Sequence, residues 1–181
     1  MKRRALSRLR SALSPALALS GLGLALAGGT AALAAAPAVE AAGEARTRAE
    51  ALFTRYIDLE HAFDPAQAEL FSDTAKIERR IVVPGQPRPV VRKWSGAQYK
   101  QILRNALQKA REKKEDVSYY SAISYLREGG RVRIKALRYA KPQKAVSPIE
   151  LLVGPEAAGT WRIFEEISES HPLMAAPPPK K

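Results

Sequence analysis

The sequence predicts an α+β domain in which helices pack on one face of a curved, mainly antiparallel sheet. The 181 residues suit one hydrophobic core. Helical periodicity dominates the first half of the folded region, and alternating strand-like segments dominate the second half. Such runs of helix followed by an antiparallel meander imply an α+β layer.

The first predicted helix runs from Glu44 to about His61. Asp64 and Pro65 then provide an N-cap and a first helical position, so a short second helix is expected through Phe71. Ser72-Asp73-Thr74 is expected to close it. The first helix buries a stripe at spacings of three and four: Ala45, Ala49, Leu52, Phe53, Tyr56 and Ile57.

Two strands and a third helix follow. Ile77 to Val83 and Val90 to Trp94 read as strands, separated by a proline-rich turn. Ser95 is a good cap for a helix over Ala97 to Arg111. Its apolar stripe is the strongest in the chain: Tyr99, Ile102, Leu103, Ala106, Leu107 and Ala110.

Four strands complete the pattern, with a hairpin turn at Gly129-Gly130. In the second of them, Val132, Ile134 and Ala136 face inward, and Arg131, Arg133 and Lys135 face outward. The curvature of such a sheet leaves a concave face, which is a natural small-molecule cavity. The predicted strands are Val117 to Leu126, Arg131 to Tyr139, Val146 to Val153 and Thr160 to Ser168.

The N-terminus predicts export. Five Lys and Arg residues precede an acid-free stretch rich in Ala, Leu and Gly, the pattern of a cleavable signal segment over residues 1–38. Cleavage after Ala34 or Ala38 fits, and a permanent membrane anchor is the alternative. The interpretation gives a linker at 39–43, a domain at 44–170, and a disordered Pro- and Lys-rich tail at 171–181. The mature protein is then periplasmic or extracellular.

Composition narrows the chemistry. Without cysteine there is no disulfide, thiolate metal site or cysteine nucleophile, and two histidines exclude a multi-histidine metal site. No nucleotide or zinc motif occurs, so no cofactor is predicted. Removing the five leader bases leaves 25 Lys and Arg against 18 acids, a net charge of +7. That balance favours anionic partners, and export argues against nucleic acid.

The chain resembles the nuclear transport factor 2-like superfamily. The likeness rests on the opening helix, on the phrase from Leu70 to Ile77, on the third helix, and on the last strand beginning Thr160-Trp161-Arg162-Ile163. That superfamily includes SnoaL-like cyclases and ketosteroid isomerase. The resemblance implies a conical α+β barrel, open at one end and commonly dimeric. It implies no activity, because the fold serves enzymes and binding modules alike.

Three residues are candidates for catalysis. If Trp161, Ile163 and Ile167 face inward, Glu165 joins them as a buried acid; the alternative is an ion pair with an arginine. Asp73 is either a pocket acid or a turn residue. His61 is either a general base or a helix-terminal histidine.

Aromatic side chains are the candidates for lining a pocket, with a core role as the alternative. Tyr119 and Tyr125 are expected to share one side of their strand. The full set is Tyr56, Trp94, Tyr119, Tyr125 and Trp161.

The leading expectation is an exported binding or interaction module without catalytic activity, holding a small apolar or aromatic ligand. One alternative is a small isomerase or cyclase that uses a buried carboxylate and tyrosines. The other is a basic accessory protein that contacts anionic cell-envelope material through Arg131, Arg133 and Lys135. A homodimer is a further expectation.

Overall fold

The computed structural model describes residues 39–113, 118–141 and 143–171. The predicted leader at 1–38 and the tail after His171 lie outside the described residues. The elements are α1 (Gly43–His61), a 3-10 helix (Pro65–Leu70), β1 (Phe71–Ile81), β2 (Val90–Ser95), α2 (Gly96–Lys113), β3 (Ser118–Glu128), β4 (Arg131–Ala140), β5 (Ala145–Pro155), a 3-10 turn (Ala157–Gly159) and β6 (Trp161–Ser170).

The predicted order of elements and the α+β class are confirmed. The six strands form one sheet in the order β2-β1-β6-β5-β4-β3. Every neighbouring pair is antiparallel except β1 and β6, which are parallel. The helices close the concave inner face, and the core lies between them and the sheet. Within the described part of the chain, no helix has both the length and the apolar character to cross a membrane.

Local signals position the helices as expected. The Asp64 carboxylate accepts a hydrogen bond from the Ala66 amide at 2.8 Å and caps the 3-10 helix. At the start of α2, the Gln98 amide donates to Ser95 Oγ, and the Ser95 amide donates to Gln98 Oε1. This reciprocal capping box fixes where α2 begins. It thereby sets the position of Tyr99, which α2 places against the core.

Three details differ from the expectations. Ser72-Asp73-Thr74 does not close a helix, because β1 already begins at Phe71. Ile102 is 39% exposed, since α2 buries only the narrower stripe through Tyr99 and Leu107. The predicted linker is partly ordered against β3, where the Arg127 amide donates to the Val39 carbonyl at 2.7 Å.

Two β-bulges change which residues face inward. In β3 one extra residue lies between Ser121 and Ser124, where Ala122 has a φ of +49°. In β6 the extra residue is Phe164, between the pairs Val153–Ile163 and Leu152–Glu165. A bulge reverses the alternation of side chains on one side of it relative to the other. Both bulges lie on strands that carry predicted site residues.

Candidate functional site

The buried carboxylate of the inner face is Glu166 and not Glu165. The prediction for Glu165 is wrong because it assumed an unbroken alternation from Trp161, and Phe164 interrupts that alternation. Glu166 is 0% exposed, on the same face as Ile163 and Ser168. Glu165 faces outward and bonds to Arg133, with 2.7 Å between Arg133 Nη1 and Glu165 Oε1. The alternative given for Glu165, an arginine partner, is what the structure shows.

Glu166 belongs to an inner polar cluster, which we define as Arg79, Tyr99, Arg138, Glu166 and Ser168. Ser168 Oγ donates to Glu166 Oε1 at 3.0 Å, and the Tyr99 hydroxyl donates to the same oxygen at 3.4 Å. Arg79 Nη2 donates to the Tyr99 hydroxyl at 2.9 Å and lies 3.9 Å from Glu166 Oε1. The contacts of Glu166 therefore converge on one of its two oxygens.

Three atoms of the cluster are buried and have no hydrogen-bond partner among the described residues: Glu166 Oε2, Arg79 Nε and Arg138 Nε. Arg138 uses its Nη2 to donate to the Glu169 carbonyl at 2.7 Å. A buried polar atom without a partner destabilises the fold by about 1–3 kcal/mol, and more for a charged group. Such atoms are uncommon in folded proteins and call for an explanation.

Aromatic rings surround the cluster. Phe71 packs edge-on against Tyr99 at a centroid distance of 5.1 Å, and Tyr56 packs edge-on against Phe71 at 6.4 Å. Tyr120 lies 6.3 Å from Tyr56, and its hydroxyl donates to Glu60 Oε2 at 2.7 Å. The interior is thus a small charged group of side chains enclosed by rings.

The buried tyrosines and charged residues influence one another's pKa values. Burial raises the pKa of Tyr99 far above its usual value; the Glu166 charge raises it further, and the charges of Arg79 and Arg138 oppose the rise. Burial likewise raises the pKa of Tyr56 and of Tyr120. All three tyrosines are therefore neutral phenols at physiological pH, able to donate a hydrogen bond. Burial also raises the pKa of Glu60, against the lowering effect of its bond from Tyr120.

The five aromatic residues predicted to line a pocket do not lie together in one site. Tyr56 and Tyr125 are buried in the core, and Trp94 lies beside Tyr99 at a centroid distance of 6.2 Å. Tyr119 is 53% exposed on the outer face, so the prediction that it shares a side with Tyr125 is wrong; the β3 bulge is the reason. Trp161 lies in a separate open groove of about 410 Å³.

Tyr120, Tyr99, Arg79 and Arg138 were not chosen from the sequence. Because the bulge in β3 reverses the alternation between Tyr125 and the start of the strand, Tyr120 faces inward in place of Tyr119. The alternation of β1 places Arg79 on the same face as Ile77, but one charged residue at such a position does not by itself indicate a site. Arg138 shares the inward alternation of Ile134 and Ala136 on β4, but the sequence does not show that it is buried without a partner for its Nε.

The remaining candidates lie outside the cluster. Asp73 is exposed and pairs with Lys100 at 2.6 Å, and that hydrogen bond lowers the pKa of Asp73. His61 Nε2 lies 2.9 Å from the Ser118 carbonyl, which links the end of α1 to β3. Within the described ranges, no three His, Cys, Asp or Glu side chains are arranged to hold a metal ion.

The predicted basic strand is not a free cationic surface. Arg133 bonds Glu128 and Glu165, and Lys135 lies 3.3 Å from Glu150. The Arg131 guanidinium stacks on the Phe164 ring at 3.7 Å. The charges of Arg133 and Lys135 are thus offset by carboxylates on the same face.

Taken together, the described residues from 39 to 171 form an α+β cone with a buried, charged interior closed by helices. No protein-family profile matches the sequence, and no curated protein matches it either. Several solved structures, however, superimpose on the chain. The beta subunit of a proposed aromatic-ring-hydroxylating dioxygenase from Novosphingobium aromaticivorans superimposes with a TM-score of 0.50 at 12% identity, over 73% of this chain and 92% of that one.

Two other solved structures are similar. An NTF2-like protein with a cystatin-like fold, also from Novosphingobium aromaticivorans, gives a TM-score of 0.48 at 18% identity, over 70% of this chain and 81% of that one. A protein of unknown function with a cystatin-like fold from Methylobium petroleophilum gives 0.44 at 17% identity, over 73% and 78%. This chain has the nuclear transport factor 2-like fold, as its resemblance implied. At such identities the likeness extends to the fold alone.

Proposed function

We propose that this protein is a binding module that holds a small organic ligand at the inner polar cluster without transforming it. The observation that carries the proposal is the set of three buried atoms that lack partners: Glu166 Oε2, Arg79 Nε and Arg138 Nε. They offer one acceptor and two donors. A ligand with an oxygen acceptor and a hydrogen-bond donor on an aromatic body complements both these atoms and the rings around them.

Access to the cluster requires a side chain to move. Glu166 is fully buried, whereas the side chain of Arg79 is 31% exposed. Arg79 also lies over the rings of Trp94 and Tyr99, at 6.0 and 5.8 Å from their centroids. Outward rotation of this guanidinium would admit a ligand and leave the backbone in place, at the cost of its hydrogen bond to Tyr99 and its proximity to Glu166.

The contacts favour binding over catalysis. The Tyr99 hydroxyl already accepts from Arg79 and donates to Glu166, and the Tyr120 hydroxyl donates to Glu60. Neither phenol is free to stabilise a developing oxyanion. Glu166 Oε1 is likewise occupied, because it accepts from Ser168 and Tyr99 and lies 3.9 Å from Arg79 Nη2.

A small isomerase or cyclase is the second candidate, and one observation favours it. Glu166 is fully buried beside a tyrosine hydroxyl, which is the combination that proton transfer at a carbon centre needs. Glu166 Oε2 would then be the base. The two candidates differ in the fate of the ligand, since a binding module releases it unchanged.

Native mass spectrometry of the protein purified from its own cells tests the proposal. We expect a retained small molecule in the wild type, lost in Glu166→Gln and Arg138→Gln, and kept in the outer-face controls Glu165→Gln and Arg133→Gln. The released molecule is then incubated with fresh protein. An unchanged mass and nuclear magnetic resonance spectrum support binding, whereas conversion that Glu166→Gln abolishes supports the enzyme. Retention unaffected by either inner substitution overturns both.

We also propose that the protein is exported, on the strength of the basic, then apolar, then small-residue pattern of residues 1–38. N-terminal sequencing of protein recovered from fractionated cells tests this. A mature N-terminus at Ala35 or Val39 outside the cytoplasm is the expected result. A full-length chain retained in the cytoplasm contradicts the proposal.

A further inference from the structure

A second surface, independent of the inner polar cluster, lies at the open edge of the sheet. β2 pairs only with β1 and forms that edge, and the two strands continue into an arm that we define as residues 80–93. Every residue from 85 to 93 is exposed. The arm is therefore a hairpin that reaches away from the core.

The positive charges of the arm are poorly offset. Arg80 and Lys93 share a single carboxylate, Glu78, at 2.8 and 3.1 Å. Arg88 and Arg92 form no hydrogen bond or ion pair with any other described residue. The four cations of the arm thus have one acidic partner among the described residues. On β4, by contrast, Arg133 has three carboxylates within 4 Å.

The tip of the arm is apolar. Val90 and Val91 are 43% and 47% exposed, and Val82, Val83 and three prolines lie in the same stretch. The register places Arg80 opposite Val91, Arg79 opposite Arg92 and Glu78 opposite Lys93. A tip (residues 82–91) that is apolar apart from Gln86 and Arg88 is therefore followed by a basic collar, which we define as Arg80, Arg92 and Lys93.

We propose that this arm docks on an anionic phospholipid surface. The apolar side chains of the tip enter the boundary between head groups and acyl chains, while Arg88 and the basic collar contact the lipid phosphates. Interfacial segments combine apolar burial with charge attraction in this way. Other anionic partners fit less well. Pro87 and Pro89 lack amide hydrogens, which hinders the addition of a peptide strand along the tip. Residues 80–93 contain no aromatic ring on which a nucleic-acid base could stack.

Hydrogen exchange at residues 83–91 tests the proposal, because this measurement reports on the arm whatever residues 1–38 do. The full chain is mixed with phosphatidylcholine vesicles, with or without phosphatidylglycerol. We expect slower exchange only with phosphatidylglycerol, reversed by high salt. The lipid concentration for half-maximal protection should rise about fivefold for each arginine removed in Arg88→Gln and Arg92→Gln.

The controls separate lipid from other partners. Val90→Ser with Val91→Ser should remove most of the protection, whereas Lys109→Gln with Arg111→Gln, an equal loss of charge on exposed α2 positions, should keep it. Unchanged exchange on anionic vesicles overturns the proposal. Equal protection by inorganic phosphate, by an acidic peptide or by single-stranded DNA without vesicles also overturns it. Retention of the cluster's ligand plays no part in this readout, so the two proposals fail separately.

Discussion

The inner and outer faces of the same sheet differ in how completely their charged side chains are paired. On the outer face Arg133 is surrounded by Glu128, Glu150 and Glu165. Five residues further along β4, on the inner face, Arg138 bonds a backbone carbonyl and keeps a buried, unpaired Nε. On the outer face the charged side chains form ion pairs with one another. On the inner face some buried charged groups lack part of their hydrogen bonds. Buried polar atoms without partners call for an explanation, and they are the reason for proposing a binding site on the inner face.

The largest expected change in stability is the loss on removing Glu166, compared with the small loss on removing its neighbour Glu165. Glu166→Ala leaves the Arg79 charge without its carboxylate and should lower the free energy of unfolding by about 3–5 kcal/mol. Glu165→Ala should lower it by less than about 1 kcal/mol, because Arg133 keeps Glu128 and the site is partly solvated. Urea unfolding measures both values. Equal losses would remove the distinction between the two faces.

A smaller effect is expected at Gly96, which positions α2 and therefore Tyr99. A Cβ at this position would lie 1.8 Å from the Ser72 carbonyl oxygen, so Gly96→Ala should lower the free energy of unfolding by about 1–3 kcal/mol. Gly130 is the control, since a Cβ there meets no atom within 4 Å. Thermal unfolding compares the two variants. A neutral Gly96→Ala would show that α2 can shift without cost.

Alkaline pH should weaken the inner face selectively. The raised pKa of Tyr99 means that the folded state keeps a proton that the unfolded state loses above its usual value of 10.0. The stability from this group is complete below that pH and is lost as the pH rises further, at about 1 kcal/mol per pH unit. Tyr99→Phe should reduce the slope of stability against pH, and Tyr119→Phe on the outer face is the matched control. Identical slopes for wild type and Tyr99→Phe would contradict this interpretation.

The smallest effect should be a gain in stability. Ala122 lies in the left-handed region at a φ of +49°, where a side chain is strained, so Ala122→Gly should raise the free energy of unfolding by up to about 1 kcal/mol. Glycine at Ala106, in α2, should instead lower it by about 1 kcal/mol. Denaturant midpoints decide the sign. A loss at both positions would mean that the bulge is not strained.

The sequence predicts most of the fold because its patterns are local. Helical stripes, Asp64, the Ser95 cap and the Gly129-Gly130 turn each act over a few residues, and all are observed. Site residues are harder to predict, because their orientation depends on the register of whole strands. One extra residue in β3 makes Tyr120 face inward where Tyr119 was expected. Another in β6 makes Glu166 face inward where Glu165 was expected. Arg138 becomes part of the site only through the packing of strands distant in sequence.

The bulge at Phe164 also bears on the recognition of relatives. Because Phe164 is the extra residue between Ile163 and Glu165, a related chain without it would keep an inward acid at the position of Glu166 on an unbroken ladder. Such a chain would align with this one only if a one-residue gap were allowed in the last strand. Searches that penalise gaps inside strands would then match the wrong carboxylate and overlook a shared interior acid.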